Sequence, residues 1–337
     1  MRVGLYSDHL YGGDEIGTGT SKYIHYLTRE LRALGVDVIP LHKGENPADV
    51  DLLHDPSPPW NAPLRPRRPL VVTIHDLATV TYPEYFEWWV RFLYIQKLRW
   101  IVHRSRRVLV DSRRTREVVQ STFRPKAPLD LVPLGLEERF QILREERPDP
   151  PFLVQVGIHR SIKDPWSTLK AFEEIADRIP HELHFIGKRI ALNKPLEDHA
   201  AAIPKLAGRV KFLWSGEASL PSIYNRTSLV IHPCPEEGFG FVPLEALACG
   251  AHVLARAPAV REVLGPFGCY YTAPGDLPQA ILTCLSQGPK GTAEDRAAHA
   301  RSFSFRRMAE QTLVTYEAAL RPGHAGTTPS RAEAQTR

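Results

Sequence analysis

Short apolar runs alternate with amphipathic stretches along most of the chain. Residues 2–6 predict a first strand. Residues 21–34 carry Tyr23, Ile24, Tyr26, Leu27 and Leu31 at helical spacing and predict a helix. A second strand is expected over 36–41. Residues 70–74 form a near-continuous apolar run of the kind a parallel strand shows when both its faces are buried. A long helix over 84–103 and strands over 108–110 and 129–132 complete this half. Two proline-rich stretches, 56–69 and 148–151, break the pattern. The second follows Arg144-Glu145-Glu146-Arg147 and reads as a linker between domains.

The second half repeats the alternation. Strands are predicted over 152–156, 183–186, 210–213, 229–232 and 252–254, and helices over 166–177, 246–249 and 278–286. Strands alternating with helices predict an α/β protein with two doubly wound, Rossmann-like parallel sheets, whose ligands sit outside the carboxyl ends of the strands. Two such domains facing each other enclose a cleft. The expected division is 1–147, 148–302 and a closing helix within 303–320, which bears Met308, Leu313, Tyr316 and Leu320. Residues 321–337 are polar and unpatterned and read as a disordered tail.

Composition adds little to this picture until charge is placed on it. A length of 337 residues suits two domains, and 43% hydrophobic with 24% charged is ordinary for a globular chain. No apolar run approaches a membrane span, and the start reads as a strand rather than a signal peptide, so a cytoplasmic protein is expected. The four cysteines have no C-x-x-C spacing. They read as reduced thiols, with neither a disulfide framework nor a zinc site. Net charge is only +5, yet between Arg91 and Lys126 eleven Lys or Arg face two acids, a local +9. Trp88, Trp89, Phe92, Tyr94 and Trp100 lie among or just before these cations. Three uses stay open: a helix packed on its own domain, peripheral docking on an anionic membrane, or nucleic acid, for which no motif is present.

The richest candidate chemistry lies between Ser228 and Gly250. A buried strand leads through Glu237-Gly238-Phe239-Gly240-Phe241 into a helix bearing Glu245. The glycines let backbone approach a ligand, and the free N–H groups of a helix start can hold phosphate. Glu237 can reach the far end of a ligand and Glu245 can point back across the first turns. Such an arrangement suits a nucleotide sugar. Arg160 and Lys163 lie in a loop between an apolar strand and a helix, placed for a diphosphate or else simply solvated. His75, at the carboxyl end of the 70–74 strand, can hydrogen-bond a sugar hydroxyl or serve structurally. Asp76 can orient it or cap the next turn. The segment from Gly12 to Tyr23 is glycine-rich. It fits neither a Walker loop nor a dinucleotide fingerprint, because Lys22 stands where the third glycine belongs.

The stretch from Glu237 to Glu245 resembles the E-x7-E signature of the GT4 family of retaining glycosyltransferases. Gly157 to Phe172 is similar to that family's glycine-led segment, with Lys163 on its lysine and Asp164 in place of the usual Asn; Arg160 substitutes at a shifted position. His75-Asp76-Leu77 resembles the mannosyltransferase-like branch. The resemblance runs from Met1 to about Leu320. It implies a GT-B fold whose terminal helix crosses back to the first domain, Glu237 on hydroxyls of the donor sugar, and Glu245 on the ribose. It also implies a loop around Gly17 and Gly19 closing over donor and acceptor. With His75 and Glu237 in the catalytic roles and Arg160, Lys163, Gly238, Phe239, Gly240, Phe241 and Glu245 binding donor, the expected activity is hexose transfer. The donor is a nucleoside-diphosphate sugar, GDP-mannose favoured, and the acceptor a hydroxyl of a glycan or lipid-linked molecule. No cofactor is expected, and no metal, since no Asp-x-Asp stands in a suitable loop. A GT-B nucleotide-sugar epimerase and a non-catalytic nucleotide-sugar-binding protein are the alternatives.

Overall fold

A computed structural model describes residues 1–7, 19–158, 161–188, 190, 193–214 and 219–321. The first half runs β1 (Arg2–Tyr6), α1 (Gly19–Ala33), β2 (Asp37–Leu41), β3 (Leu52–Asp55), β4 (Leu70–Ile74), α2 (Ala78–Thr81), α3 (Trp88–Arg104), β5 (Arg107–Val110), α4 (Arg113–Phe123) and β6 (Leu129–Leu131). Its six strands are all parallel, in the order β2-β1-β3-β4-β5-β6. The second half runs β7 (Phe152–Val156), α5 (Pro165–Ile175), β8 (Glu182–Gly187), α6 (Lys194–Ala202), β9 (Val210–Trp214), α7 (Leu220–Arg226), β10 (Leu229–His232), α8 (Phe241–Ala248), β11 (Val253–Ala255), α9 (Pro258–Leu264), β12 (Cys269–Tyr270), α10 (Leu277–Gln287), α11 (Ala293–Arg301) and α12 (Phe305–Leu320). A second six-stranded parallel sheet results, in the order β12-β11-β10-β7-β8-β9.

Most sequence-predicted elements stand within a residue or two of their expected places, and the departures have local causes. The helix expected from residue 84 begins at Trp88, because Pro83–Tyr85 forms a separate short 3-10 turn and Phe86 is extended. The helix expected over 246–249 begins at Phe241. Pro243 falls in its first turn, where a missing N–H costs no intrahelical bond. The pattern does not reveal β3, since half of Leu52-Leu53-His54-Asp55 is polar; all four residues are nevertheless buried between β1 and β4. The tail beyond Arg321 lies outside the described residues.

The closing helix α12 packs on α1 and against β4 and β5, returning the chain end to the first sheet. Its approach is set at Gly135. A β-carbon there would lie 2.1 Å from the backbone nitrogen of Phe305, so the two segments touch backbone to backbone. Leu136 N–H donates to the Phe303 carbonyl at 3.1 Å, and the Tyr26 and Phe305 rings stack at 4.0 Å. Deeper in, the Tyr316 hydroxyl meets His54 Nδ1 at 2.6 Å, and His54 Nε2 meets Thr73 Oγ1 at 2.8 Å. Thr73 continues the chain to the Tyr23 hydroxyl at 3.0 Å. This buried polar line ties helix, sheet and α1 together.

Burial pushes the His54 imidazole down to about 3. The ring is neutral in the fold while the unfolded chain titrates near the ordinary 6.5. Its contribution to stability is therefore full above about pH 6.5 and is lost as pH falls toward 3. Tyr316→Phe leaves one buried histidine nitrogen without its partner and should cost about 1–3 kcal/mol in urea unfolding at pH 7. Unchanged stability in that variant would show that the hydroxyl anchors nothing.

Candidate active site

The carboxyl ends of β4, β7 and β10 bring the expected residues into one place. Pro233 to Gly240 leaves β10 and turns into α8, which has no side-chain cap on its first amides. Gly240 holds a φ of +101°, and a β-carbon there would also press on Val260 at 2.9 Å. Gly238 is needed for a different reason. A β-carbon on it would stand 1.8 Å from the carbonyl oxygen of His75, so the loop of the second domain lies directly on the end of β4.

Beside this contact sits a buried charge cluster. Lys163, at the end of the short 161–163 turn, donates to the Glu237 carboxylate, and His232 Nε2 meets the same oxygen at 3.1 Å. Gln155 fixes the turn by donating to the Lys163 carbonyl at 2.7 Å. Burial pushes the Glu237 carboxyl up, but the Lys163 ammonium and the His232 hydrogen bond outweigh it and hold the group well below the usual carboxylate range. Burial likewise works against the Lys163 ammonium, and Glu237 more than restores it. Both groups are therefore charged at neutral pH. Asp164 occupies a left-handed conformation, φ +49°, and caps α5 through the Ser167 N–H at 3.2 Å. Asn and Asp tolerate that region best, which explains an Asp where Asn is usual.

His75 lies on the first domain's side of the Gly238 contact. Its Nδ1 lies 2.6 Å from the Asp111 carboxylate, and its ring meets Tyr23 edge-on at 4.7 Å. Burial disfavours the imidazolium. Asp111, then Asp76 and the nearby Pro56 carbonyl, reverse that and raise the pKa. The orienting acid is thus Asp111, which in the sequence is only one of the two acids of the basic window; Asp76 instead accepts the Ala78 N–H at 3.1 Å and caps the turn. His75 Nε2 has no hydrogen-bond partner of good geometry among the described residues.

Glu245 is buried at the back of the same loop. Its carboxylate is held by Lys22 of α1, which also grips Glu137. Burial raises the Glu245 pKa and Lys22 only partly offsets it. The Phe241 ring lies 4.9 Å under the Lys22 ammonium. Phe239, expected to bind donor, turns its side chain into the core against Phe241 and Phe303 and leaves only backbone for a ligand. Gly19 opens α1 with its Cα side against Phe241; Gly17 and Arg160 lie outside the described residues.

The seam between the domains holds further contacts that sequence spacing does not reveal. Arg114 pairs with Glu236, with contacts of 3.1 and 3.3 Å. Glu262 of α9 accepts the Arg113 and Arg114 amides at 2.9 Å each, capping α4 across the seam. Its own helix gives no hint of this.

Two family descriptions match this chain: Glycosyltransferase Family 4 over residues 40–140 and Glycosyl transferases group 1 over residues 150–287. The chain is built of family 4 and group 1 glycosyltransferase domains. It is 33% identical over 120 residues to a D-inositol 3-phosphate glycosyltransferase of Segniliparus rotundus, and 33% over 126 residues to that of Mycobacterium tuberculosis. These matches cover 33% and 34% of this chain, and only 27% and 26% of the relatives' length. Among solved structures it resembles sucrose-phosphate synthase from Thermosynechococcus elongatus, with a TM-score of 0.69 and 18% identity over 95% of this chain and 96% of that one. It also resembles Anabaena HepE in complex with UDP and glucose, with a TM-score of 0.66 and 18% identity over 94% and 100%. The fold of this chain is GT-B.

The seam at Gly238 can be tested directly. Gly238→Ala drives a methyl group into a backbone carbonyl, an overpacking of about 1–3 kcal/mol that falls on the closed cleft. Turnover should drop roughly five- to a hundredfold while the unfolding midpoint moves little. Full turnover would mean that the closed seam is not the working state.

Proposed function

We propose that this protein is a retaining, metal-independent hexosyltransferase using a nucleoside-diphosphate sugar. The observation that carries the reading is the Lys163–Glu237–His232 cluster, one residue from the Gly238 contact on the His75 carbonyl, at the carboxyl ends of both sheets. A leaving diphosphate needs positive charge and amide donors. Lys163 and the uncapped start of α8, with Arg160 three residues earlier in the sequence, supply them in place of a cation. Glu237 remains ionised and accepts hydrogen bonds from sugar hydroxyls. It also steadies positive charge at an oxocarbenium-like carbon as the bond to the diphosphate breaks. The acceptor hydroxyl attacks on the face the diphosphate leaves, and its proton passes to the departing phosphate oxygen. His75, whose Nδ1 is held by the Asp111 carboxylate, turns its other ring nitrogen to a sugar hydroxyl. Glu245 takes the ribose. His75-Asp76-Leu77 favours GDP-mannose as donor.

A panel of nucleotide sugars tests the reading. GDP-mannose with a glycan or lipid-linked acceptor should release nucleoside diphosphate and form product, in the presence of EDTA as in its absence. Glu237→Gln should lose about 100-fold or more of that turnover, the range for a preorganised electrostatic contact, and remain folded. An epimerised sugar, or binding without release, would assign the two alternative activities. Activity that vanishes with EDTA and returns with magnesium would overturn metal independence.

The acceptor side of this reading includes a lipid surface. The first turns of α3 expose Trp88 by 76%, Trp89 by 53% and Phe92 by 56%, and only Leu98, Ile101 and Val102 of this helix are buried. These aromatics are not packing their own domain. Some cations of the basic window are internally engaged, Arg107 on Asp130 and Arg114 on Glu236. Lys97 and Arg104 lie over Trp60 and Trp100, on the same helix as the exposed rings. Aromatics beside cations match an anionic headgroup layer. No helix among the described residues is long and apolar enough to cross a membrane. Vesicles containing anionic lipid should retain the protein at low salt and release it at high salt. Replacing Trp88, Trp89 and Phe92 with Ser should abolish retention without changing transfer to a soluble acceptor. Retention by the triple variant would remove the aromatics from the interaction.

A further inference from the structure

A second cluster of reactive side chains lies away from the cleft. His252 precedes β11, Cys269 opens β12 and Cys284 sits near the end of α10. Their ligating atoms all lie within 4.8 Å of one another, and His252 Nε2 is 3.1 Å from Cys269 Sγ. His252 and Cys284 are buried and Cys269 is half-buried. No C-x-x-C spacing announces this group. The parallel pairing of β11 with β12, and the packing of α10 on β11, assemble it from positions up to 32 residues apart. Spacing along the sequence gives no sign that two of the four thiols lie close together.

We propose that His252, Cys269 and Cys284 bind one zinc-class divalent cation. Two thiolates and an imidazole form a soft, nitrogen–sulfur donor set that suits zinc and rejects magnesium or calcium. With Zn–S near 2.3 Å and Zn–N near 2.0–2.1 Å, tetrahedral donors stand roughly 3.5–3.8 Å apart. The three donor atoms already lie within 4.8 Å of one another, and the His252–Cys269 contact at 3.1 Å opens by a few tenths of an ångström to reach it. Binding releases the two thiol protons to solvent. Two thiolates and a dication sum to no net charge. Lys290, which donates to the Gly268 carbonyl at 2.9 Å beside Cys269, therefore faces no repulsive ion. Cys269, Cys284 and Lys290 line a surface cavity of about 630 Å³, which gives water access to the fourth position.

The site lies at the outer edge of the second sheet, near the amino end of β11, whereas the cleft lies at the carboxyl ends. It takes no part in sugar transfer. Its effect is mechanical: β12 is a two-residue edge strand, and the ion ties it to β11 and α10. The other close group, His232, Cys234 and Glu237, is a poor cation site because the Lys163 ammonium already holds Glu237.

Cobalt(II) tests this. The full-length chain, reduced and stripped with chelator, should take up one equivalent and show thiolate-to-cobalt charge-transfer absorption, displaced by zinc. Zinc should also raise the unfolding temperature of the stripped chain. Cys269→Ser and Cys284→Ser should lose the charge-transfer band, Cys269→His should keep metal with a weaker band, and Cys234→Ser should behave as the parent. No thiolate band in the parent overturns the proposal. So does a band that survives both serine variants or disappears in Cys234→Ser. Two thiols missing from a titration of the untreated chain, restored only by reductant, would show a Cys269–Cys284 disulfide instead and equally overturn it.

Discussion

Everything in the cleft depends on the absence of one side chain. Gly238 lets the loop after β10 rest on the carbonyl of His75, with no space for a β-carbon. Its value here is volume rather than a special backbone angle, in contrast to Gly240 in the same loop. That single close approach fixes the distance between the ends of β4 and β10. Thr115, which donates to the same His75 carbonyl at 3.1 Å, holds the first domain's side of the contact. These touching backbones bring the Lys163–Glu237–His232 cluster and the His75–Asp111 pair to the same seam.

The rest of the seam is a mixture of apolar continuity and paired charge. One hydrophobic cluster runs from Leu5 and Tyr23 through Phe140, Tyr224 and Phe239 to Tyr316, so the two sheets share a core along the crossing helix. At the cleft itself the contacts are ionic: Lys22 with Glu245 and Glu137, Arg114 with Glu236, and Glu262 with the start of α4. Paired buried charges add little net stability, since their desolvation offsets their attraction. They are sensitive to partner loss, however, which makes them register pins. A seam of this kind can exchange a protein partner for a ligand's phosphate or hydroxyl at small cost. A purely apolar seam cannot.

The alternation of strands and helices was legible because parallel strands buried on both faces leave near-continuous apolar runs, as at residues 70–74 and 229–232. The carboxylates and Lys163 were legible because they stand in local motifs flanking strand ends. The unread residues share one property: their meaning comes from partners far along the chain. Asp111 matters through His75, Glu262 through the amides of α4, and Lys22 through Glu245, 223 residues away. β3 stayed hidden because His54 and Asp55 are polar residues buried by specific hydrogen bonds, which periodicity cannot distinguish from surface polarity. His252, Cys269 and Cys284 are the same case on the outer edge.

The pairing of Glu245 with Lys22 bears on whether that carboxylate can serve a ribose. A carboxylate offers about four lone-pair positions, and one ammonium shared between Glu245 and Glu137 occupies few of them. Arg139 pairs with Glu137 as well, so two cations stand against the two carboxylates. Burial, with the neighbouring Glu137 charge, raises the Glu245 pKa, while Lys22 and Arg139 lower that of Glu137 against its own burial. Hydroxyl donors would meet the lone pairs left open on Glu245 without displacing Lys22. Lys22 then orients the acceptor oxygen rather than blocking it.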